Sequence, residues 1–345
     1  MKNNDDNNKK KKNEEPTKQE DYTQQYDLGQ TELSQEAFYP PESDYMPEQM
    51  QENFIKNEKD SGSMKKANEL ASKLLRRKLE KERPDDAKVM NEIKEDDIIV
   101  IKGQYDRIED ILSISGIPHK LLTASQLKNI KLNPNQMLII NCPGYIERES
   151  IVQITKFVED GGYLFTTDWA LLNVLEKSFP GYVKYNQKPT IDDTVQIEII
   201  DKDNPFLDMI MSDSADPNWW LEGSSYPIQV LNKSEVKILI QSREMKEKYD
   251  EEAIAIFFKF GKGKVFHITS HFYLQRADMR TERHKASSKE YFANEMAFSE
   301  SEYSEFEEDM EDVQLGEAQS AYSMQQFINN IIIDKKKSQN KKKPE

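Results

Sequence analysis

Residues 137–177 read MLIINCPGYIERESIVQITKFVEDGGYLFTTDWALLNVLEK. Two short apolar runs rich in β-branched and aromatic residues, Met137 to Asn141 and Tyr163 to Thr167, have the length and flanking turn residues of strands buried on both faces. Between them, Ile151, Ile154, Phe157 and Val158 recur at helical spacing from Arg148 to Asp160, and Gly161-Gly162 stops that helix. A second helix, Asp168 to Lys177, begins where the strand YLFTT ends, so that Asp168 can also be read as its N-cap.

The same alternation continues on both sides. Upstream, Asp97 to Lys102 (DIIVIK) reads as a buried strand, followed by a helix marked by Tyr105, Ile108, Ile111 and Leu112 that stops at Gly116, and by a short strand, HKLL. Strand and helix in turn at these spacings predict an α/β fold with a three-layered, mostly parallel sheet. Downstream the period shifts to strands: TVQIEII, YPIQVL, VKILIQS, AIAIFFKF and KVFHITS, the last two joined by Gly261-Lys262-Gly263. That join reads as a hairpin; a phosphate loop needs a longer glycine-rich turn leading into a helix. A terminal helix, Ala321 to Ile333, is expected to pack back on the sheet.

The flanks read differently. Residues 1–62 are rich in Asn, Lys, Gln, Glu and Asp with no sustained period and are expected to be disordered. Within 63–94, Ala67, Leu70, Ala71, Leu74, Leu75 and Leu79 form the apolar stripe of a basic amphipathic helix, ended by Pro84 and followed by a short linker. That stripe, over residues 64–82, offers peripheral membrane contact, a partner's groove or packing on its own domain. The α/β domain is expected over 95–333 with an acidic insertion at 285–319, a solvated loop or docking segment, and a loose basic tail at 334–345.

The 345 residues carry 32% charged and 36% apolar side chains and a net charge of −15. That balance disfavours nucleic acid, whose binding calls for a basic stripe with interleaved aromatics. One cysteine, Cys142, excludes an internal disulfide framework and makes the reducing cytoplasm the default address. No apolar run is long enough to span a membrane, and neither a secretory signal nor a myristoylation motif opens the chain. Protein partners are expected through the tails or a sheet edge, and no cofactor or metal is expected.

The run from Met137 to Gly181 resembles the class I glutamine amidotransferase-like superfamily: a strand ending in Pro-Gly, a helix feeding a Gly-Gly turn, and a strand whose tip forms a nucleophile elbow. GKGKVFHITSH is similar to the glycine hairpin, strand and terminal histidine of its non-amidotransferase branches, such as trehalose-utilisation-like proteins. The resemblance implies a flavodoxin-like sheet and places Asp168 (Thr167, if the register slips by one) where active relatives carry the cysteine. A carboxylate there cannot form the thioester, and His271 is followed by Phe272-Tyr273 rather than Pro-Glu, so glutaminase activity is not expected. Cys142 stands where the family places a backbone turn near its oxyanion hole and reads as a small buried core thiol.

Candidate chemistry gathers on Asp168, Glu222 and His271. Asp168 ends a parallel strand, at the edge where open α/β sheets bind ligands, and Glu222 can supply a second carboxylate for acid–base work. His271 and His267 fall on one face by period-2 counting, which leaves a two-histidine, one-carboxylate metal arrangement as an alternative. Gly144, Trp169, Trp219, Trp220, Gln275 and Arg276 are the candidate ligand-binding residues, with NWWLEGSSYPI (218–228) read as a loop carrying amphipathic anchors. Two functions follow: a non-catalytic, amidotransferase-like scaffold that binds proteins, or a hydrolase or small-ligand binder using Asp168, Glu222 and His271.

Overall fold

The computed structural model describes residues 48–201, 203–208, 210, 218–271, 288, 304 and 313–340. They form a mixed α/β fold around a large sheet. Its first half is parallel: β1 (Ile98–Ile101) lies between β2 (Lys120–Leu122) and β3 (Met137–Ile140), and β3 pairs with β4 (Tyr163–Thr167). The order β2-β1-β3-β4 means that the chain leaves β1 first to one side and then to the other, so the sheet has a topological switch point between β1 and β3.

After β4 come β5 (Val183–Tyr185), β6 (Asp193–Gln196), β7 (Glu198–Ile199), β8 (Asn218–Leu221), β9 (Ile228–Val230), β10 (Lys237–Gln241), β11 (Ala253–Phe260) and β12 (Gly263–Ile268). β12 returns to lie parallel beside β4, and the sheet continues through antiparallel β11, β10 and β7, with β9 and then β5 attached to β11. The expected hairpin is present: Phe260 pairs with Gly263 across a turn in which Gly261 takes a left-handed φ of +56°.

Alternate residues of the central strands feed two buried clusters. Val100, Ile139, Phe165 and Phe266 join one, with Ile108, Ile111 and Leu112 of α3 (Ile108–Ile114) and Phe327, Ile328 and Ile331 of the final helix, α8 (Leu315–Asn340). Ile99, Ile101, Leu138, Ile140 and Leu164 join the other, with Ile151, Ile154, Phe157 and Val158 of α5 (Arg148–Glu159). Each fully buried Ile, Leu or Phe contributes about 1.5–3 kcal/mol, which is why near-continuous apolar runs specify these central strands.

The basic amphipathic helix is part of α1 (Glu48–Glu82). Ala67, Leu70, Ala71, Leu74 and Leu75 pack against Leu315, Ala318, Ala321 and Tyr322 of α8, so the face that the sequence offered to a membrane or a partner is covered by the chain's own last helix. Gln325 reinforces the contact by donating to the Asn68 side chain at 2.9 Å. The linker expected after Pro84 is instead a helix, α2 (Pro84–Asn91), since proline is well placed in a first helical turn. α4 (Ala124–Leu127) follows β2, and α6 (Glu176–Ser178) and α7 (Arg243–Tyr249) are short helices beyond β4 and β10.

Other expectations are corrected. NWWL is a strand rather than part of a loop, because β8 pairs antiparallel with β6. TVQIEII divides at Ile197 into β6 and β7, which belong to different sheets. The terminal helix extends beyond Ile333 to Asn340, because Lys335 and Lys336 are bound: Lys335 Nζ donates to the Gly161 and Pro134 carbonyls at 2.7 and 2.6 Å, and Lys336 pairs with Asp97 at 2.6 Å. The acidic insertion and residues 1–47 lie outside the described residues, except for 288, 304 and 313–319 of the insertion. Among the described residues, no helix is long and apolar enough to cross a membrane.

Candidate functional site

The carboxyl ends of β3, β4 and β12 lie side by side, and the register sets what meets there. Ile140 is level with Thr166, which brings Cys142 alongside Asp168; Ile268 is level with Thr167, which brings the residues after β12 to the same edge. Cys142 N–H donates to Thr167 Oγ1 at 3.0 Å, and Asp168 N–H donates to the Ile268 carbonyl at 3.0 Å.

Asp168 leaves β4 in the left-handed region, with φ of +45°. That conformation costs an ordinary residue about 1–2 kcal/mol and is tolerated best by Gly, Asn and Asp. The carboxylate does not cap the helix that follows, as an N-cap reading required. Oδ1 accepts from Tyr226 N–H at 2.8 Å and Oδ2 from Ser225 Oγ at 3.2 Å, both distant in sequence. The chain beyond makes a single π turn, Leu171–Leu175, before α6. Ser224 and Ser270 are left-handed too, at +70° and +72°. Strain of this kind collects where a fold holds side chains in set positions.

His271 is fully buried between two carboxylates: Nδ1 contacts Glu222 Oε2, and Nε2 stands 3.4 Å from Asp168 Oδ2. Glu222 directly follows β8, and its backbone N–H donates to Ser270 Oγ at 3.0 Å, which ties the β8 segment to the residue before His271. Thr190 binds the same turn, donating to the Glu222 carbonyl and accepting from Ser225 N–H. Cys142 completes the cluster, its Sγ 3.8 Å from Asp168 Oδ2. One ligand-type atom from each of Cys142, Asp168 and His271 lies within 4.8 Å of the other two.

Burial and charge act against each other here. Burial alone would lower the His271 imidazole; the Glu222 carboxylate, helped by Cys142 and Asp168, holds it well above its ordinary range. Burial raises the Glu222 carboxyl, with the His271 charge opposing it. Burial also pushes the Cys142 thiol up to about 12, so it is a neutral thiol and not an activated nucleophile.

Asp168, Glu222 and His271 therefore meet, as the candidate triad required. His267 does not join them. Its Nδ1 bonds Thr166 Oγ1 at 2.8 Å inside the sheet, and burial depresses its imidazole to about 3, so the two-histidine, one-carboxylate arrangement is absent. Trp169 stacks on Tyr226 with ring centroids 5.3 Å apart and donates through Nε1 to the Ser224 carbonyl at 2.7 Å, holding the Ser225-Tyr226 turn against Asp168. Trp219 and Trp220 are buried, with their indole N–H groups on the Thr269 carbonyl and on Asp192. Gln275 and Arg276 lie outside the described residues.

Gly144 takes φ of +69°, and a Cβ there would come 2.8 Å from Ala170 Cβ, so only glycine lets the turn after β3 approach the turn after Asp168. It lines a cavity of about 220 Å³ with Gly103, Gln104, Asn141 and Tyr145, at the β1/β3 switch point. Sequence reasoning missed Cys142, Ser225 and Tyr226 as members of the site. Only Cys142 carried a signal: Ile140 pairs with Thr166, so the residues two past this pair, Cys142 and Asp168, come together.

No known family and no curated protein matches the chain. Among solved structures it is similar to the cytoplasmic protein STM3548 from Salmonella typhimurium (TM-score 0.37, 11% identity, 51% of this chain and 87% of that one). It is also similar to a ThuA-like protein from Bacteroides uniformis (TM-score 0.35, 11% identity, 51% and 80%). A third similar structure is the β-galactosidase Gan42B, of which the chain spans only about a quarter (TM-score 0.34, 12% identity, 52% and 27%). At TM-scores this low the likenesses identify neither fold nor function for this chain.

Proposed function

We propose that the chain is a small-molecule hydrolase built on a three-layered, flavodoxin-like sheet of the amidotransferase-like kind, without glutaminase chemistry, and that Asp168, His271 and Glu222 carry the reaction. The observation that supports this reading is the burial of one histidine between two carboxylates at the carboxyl edge of parallel strands. Removing such charges from water costs several kcal/mol per ion even after relaxation. A structural strand end has no need of them, whereas acid–base chemistry does.

In this reading Asp168 accepts a proton from water as its oxygen bonds to the electrophilic carbon of the substrate. The His271 imidazolium, oriented by Glu222 through Nδ1, donates a proton to the leaving group as its bond to that carbon breaks. The proton taken by Asp168 then passes to His271 across the 3.4 Å contact, which resets both groups. The cavity beside Gly144, next to the Cys142 turn, would receive the substrate, although none of Asp168, His271 and Glu222 lines it, so the reaction requires the turn between them to open. The scaffold reading called for a filled sheet edge with Asp168 bonded to its own helix; the edge is filled, and the carboxylate is bonded instead to Ser225 and Tyr226, which favours the hydrolytic reading.

The test is a hydrolysis screen of chromogenic esters, amides and glycosides on the full chain and on His271→Gln. One substrate class turned over by the wild type and slowed at least about 100-fold in the variant, with the circular dichroism spectrum retained, is the expected result. No turnover in any class, or turnover indifferent to His271, contradicts the proposal.

A further inference from the structure

We propose that Cys142 Sγ, Asp168 Oδ2 and His271 Nε2 form a three-ligand site for a divalent transition metal of the zinc class, with Glu222 as the carboxylate that orients the histidine ligand. The inference rests on the hydrolytic reading of the same residues and adds the cofactor that reading lacks.

Geometry carries it. Ligand bonds of about 2.3 Å to sulfur and 2.0 Å to nitrogen and oxygen, spread tetrahedrally, put nitrogen and oxygen roughly 3.3 Å apart and sulfur and oxygen roughly 3.5 Å apart. The observed separations are 3.4 Å for His271 Nε2 to Asp168 Oδ2 and 3.8 Å for Cys142 Sγ to the same oxygen. Two edges of the donor triangle thus match a zinc-sized polyhedron, and all three donors lie within 4.8 Å of one another; a water or substrate atom would complete the fourth corner. All three residues are fully buried, and His271 Nε2 faces the other two donors rather than a backbone carbonyl.

The surroundings match what metal-bound groups require. A ligating histidine commonly gives its other ring N–H to a carboxylate, which sets tautomer and ring orientation, and Glu222 stands at Nδ1. A ligating carboxylate is itself hydrogen-bonded, and Asp168 accepts from Tyr226 N–H and Ser225 Oγ. The donor set is also balanced in charge. One thiolate and one carboxylate neutralise a dication, the histidine ligates as a neutral ring, and mixed sulfur, nitrogen and oxygen ligation suits zinc. The ion would stand where the Nε2 proton stands in the metal-free protein, and its Lewis acidity would take over the part given above to the imidazolium.

The full chain, stripped with a chelator and dialysed, is titrated with Co²⁺ and then with Zn²⁺. Expected are one equivalent of Co²⁺ with the strong visible bands of a tetrahedral site and a near-ultraviolet thiolate charge-transfer band, all bleached by Zn²⁺. Cys142→Ser should abolish the charge-transfer band, Asp168→Asn and His271→Gln should abolish tight binding, and Glu222→Gln should weaken it about 10- to 100-fold. Absence of a bound equivalent in the wild type, or a spectrum unchanged in Cys142→Ser while the fold is retained, overturns the metal site. Hydrolysis undiminished after stripping overturns the metal and leaves the hydrolytic reading intact. Stoichiometric Co²⁺ with no substrate class turned over supports the metal and removes the hydrolytic reading.

Discussion

Replacing His271 alone should damage the protein more than replacing every charge around it. In His271→Gln, Glu222 and Asp168 remain buried with no cation between them, and breaking a buried charge pair by removing one partner costs about 3–5 kcal/mol. For a domain of this size that is a fall of roughly 6–20 °C in Tm. The variant Asp168→Asn/Glu222→Gln/His271→Gln keeps the shapes and has no buried charge left. Asn suits the left-handed backbone at 168 and still accepts from Tyr226 N–H. Its stability should lie within about 1 kcal/mol of the wild type, or above it, although it is inert. The assay is urea unfolding of the wild type, the three single variants and the triple variant, followed by circular dichroism and tryptophan fluorescence. Losses that simply add up across the singles, or a His271→Gln loss below about 1 kcal/mol, which is the scale of an exposed pair, would refute the reasoning.

Three further outcomes are expected. The His267 imidazole has its folded value depressed to about 3 against 6.5, so the unfolded chain takes up a proton that the fold refuses; stability should fall as pH drops from 6.5 towards 3, by up to about 1.4 kcal/mol per pH unit from this group, and Tm profiles of His267→Gln should lose that component. Gly144→Ala forces a Cβ onto Ala170 at a left-handed position and should cost about 1–3 kcal/mol in urea unfolding, with loss of turnover because the Cys142 turn is displaced. Lys335→Met leaves the Gly161 and Pro134 carbonyls without their ammonium donor and should cost about 1–3 kcal/mol by the same assay.

The parallel half of the sheet was legible because its information is local. Runs such as IIVI, MLII and YLFTT are uniformly buried, and a glycine, a charge or a side-chain amide marks each end. The hairpin at Gly261 was legible for the same reason. β8 was not, since its partner β6 is some two dozen residues away and the Gly-Ser-Ser after it looks like a loop; it is the antiparallel pairing of Asn218–Leu221 with Asp193–Gln196 that makes it a strand. Asp168 shows the limit most clearly. Its position after a strand and before a helix was readable, and the N-cap interpretation fitted the local chain, but the groups that bind it are Ser225 and Tyr226, which no local rule brings there. Cys142 was read as a small buried core thiol from its place at the Cys-Pro-Gly turn that ends a strand. It is buried as expected, and its relation to Asp168 follows from the register of β3 on β4.

The central claim is that His271 is held between Glu222 and Asp168 in a buried site, and nitrogen-detected NMR of its imidazole tests this most directly. Both ring nitrogens of the metal-free protein should stay protonated well above the ordinary histidine range, with the Nδ1 proton strongly downfield and shifted in Glu222→Gln. A His271 ring that titrates near 6.5 and ignores the replacement of Glu222 would contradict the account.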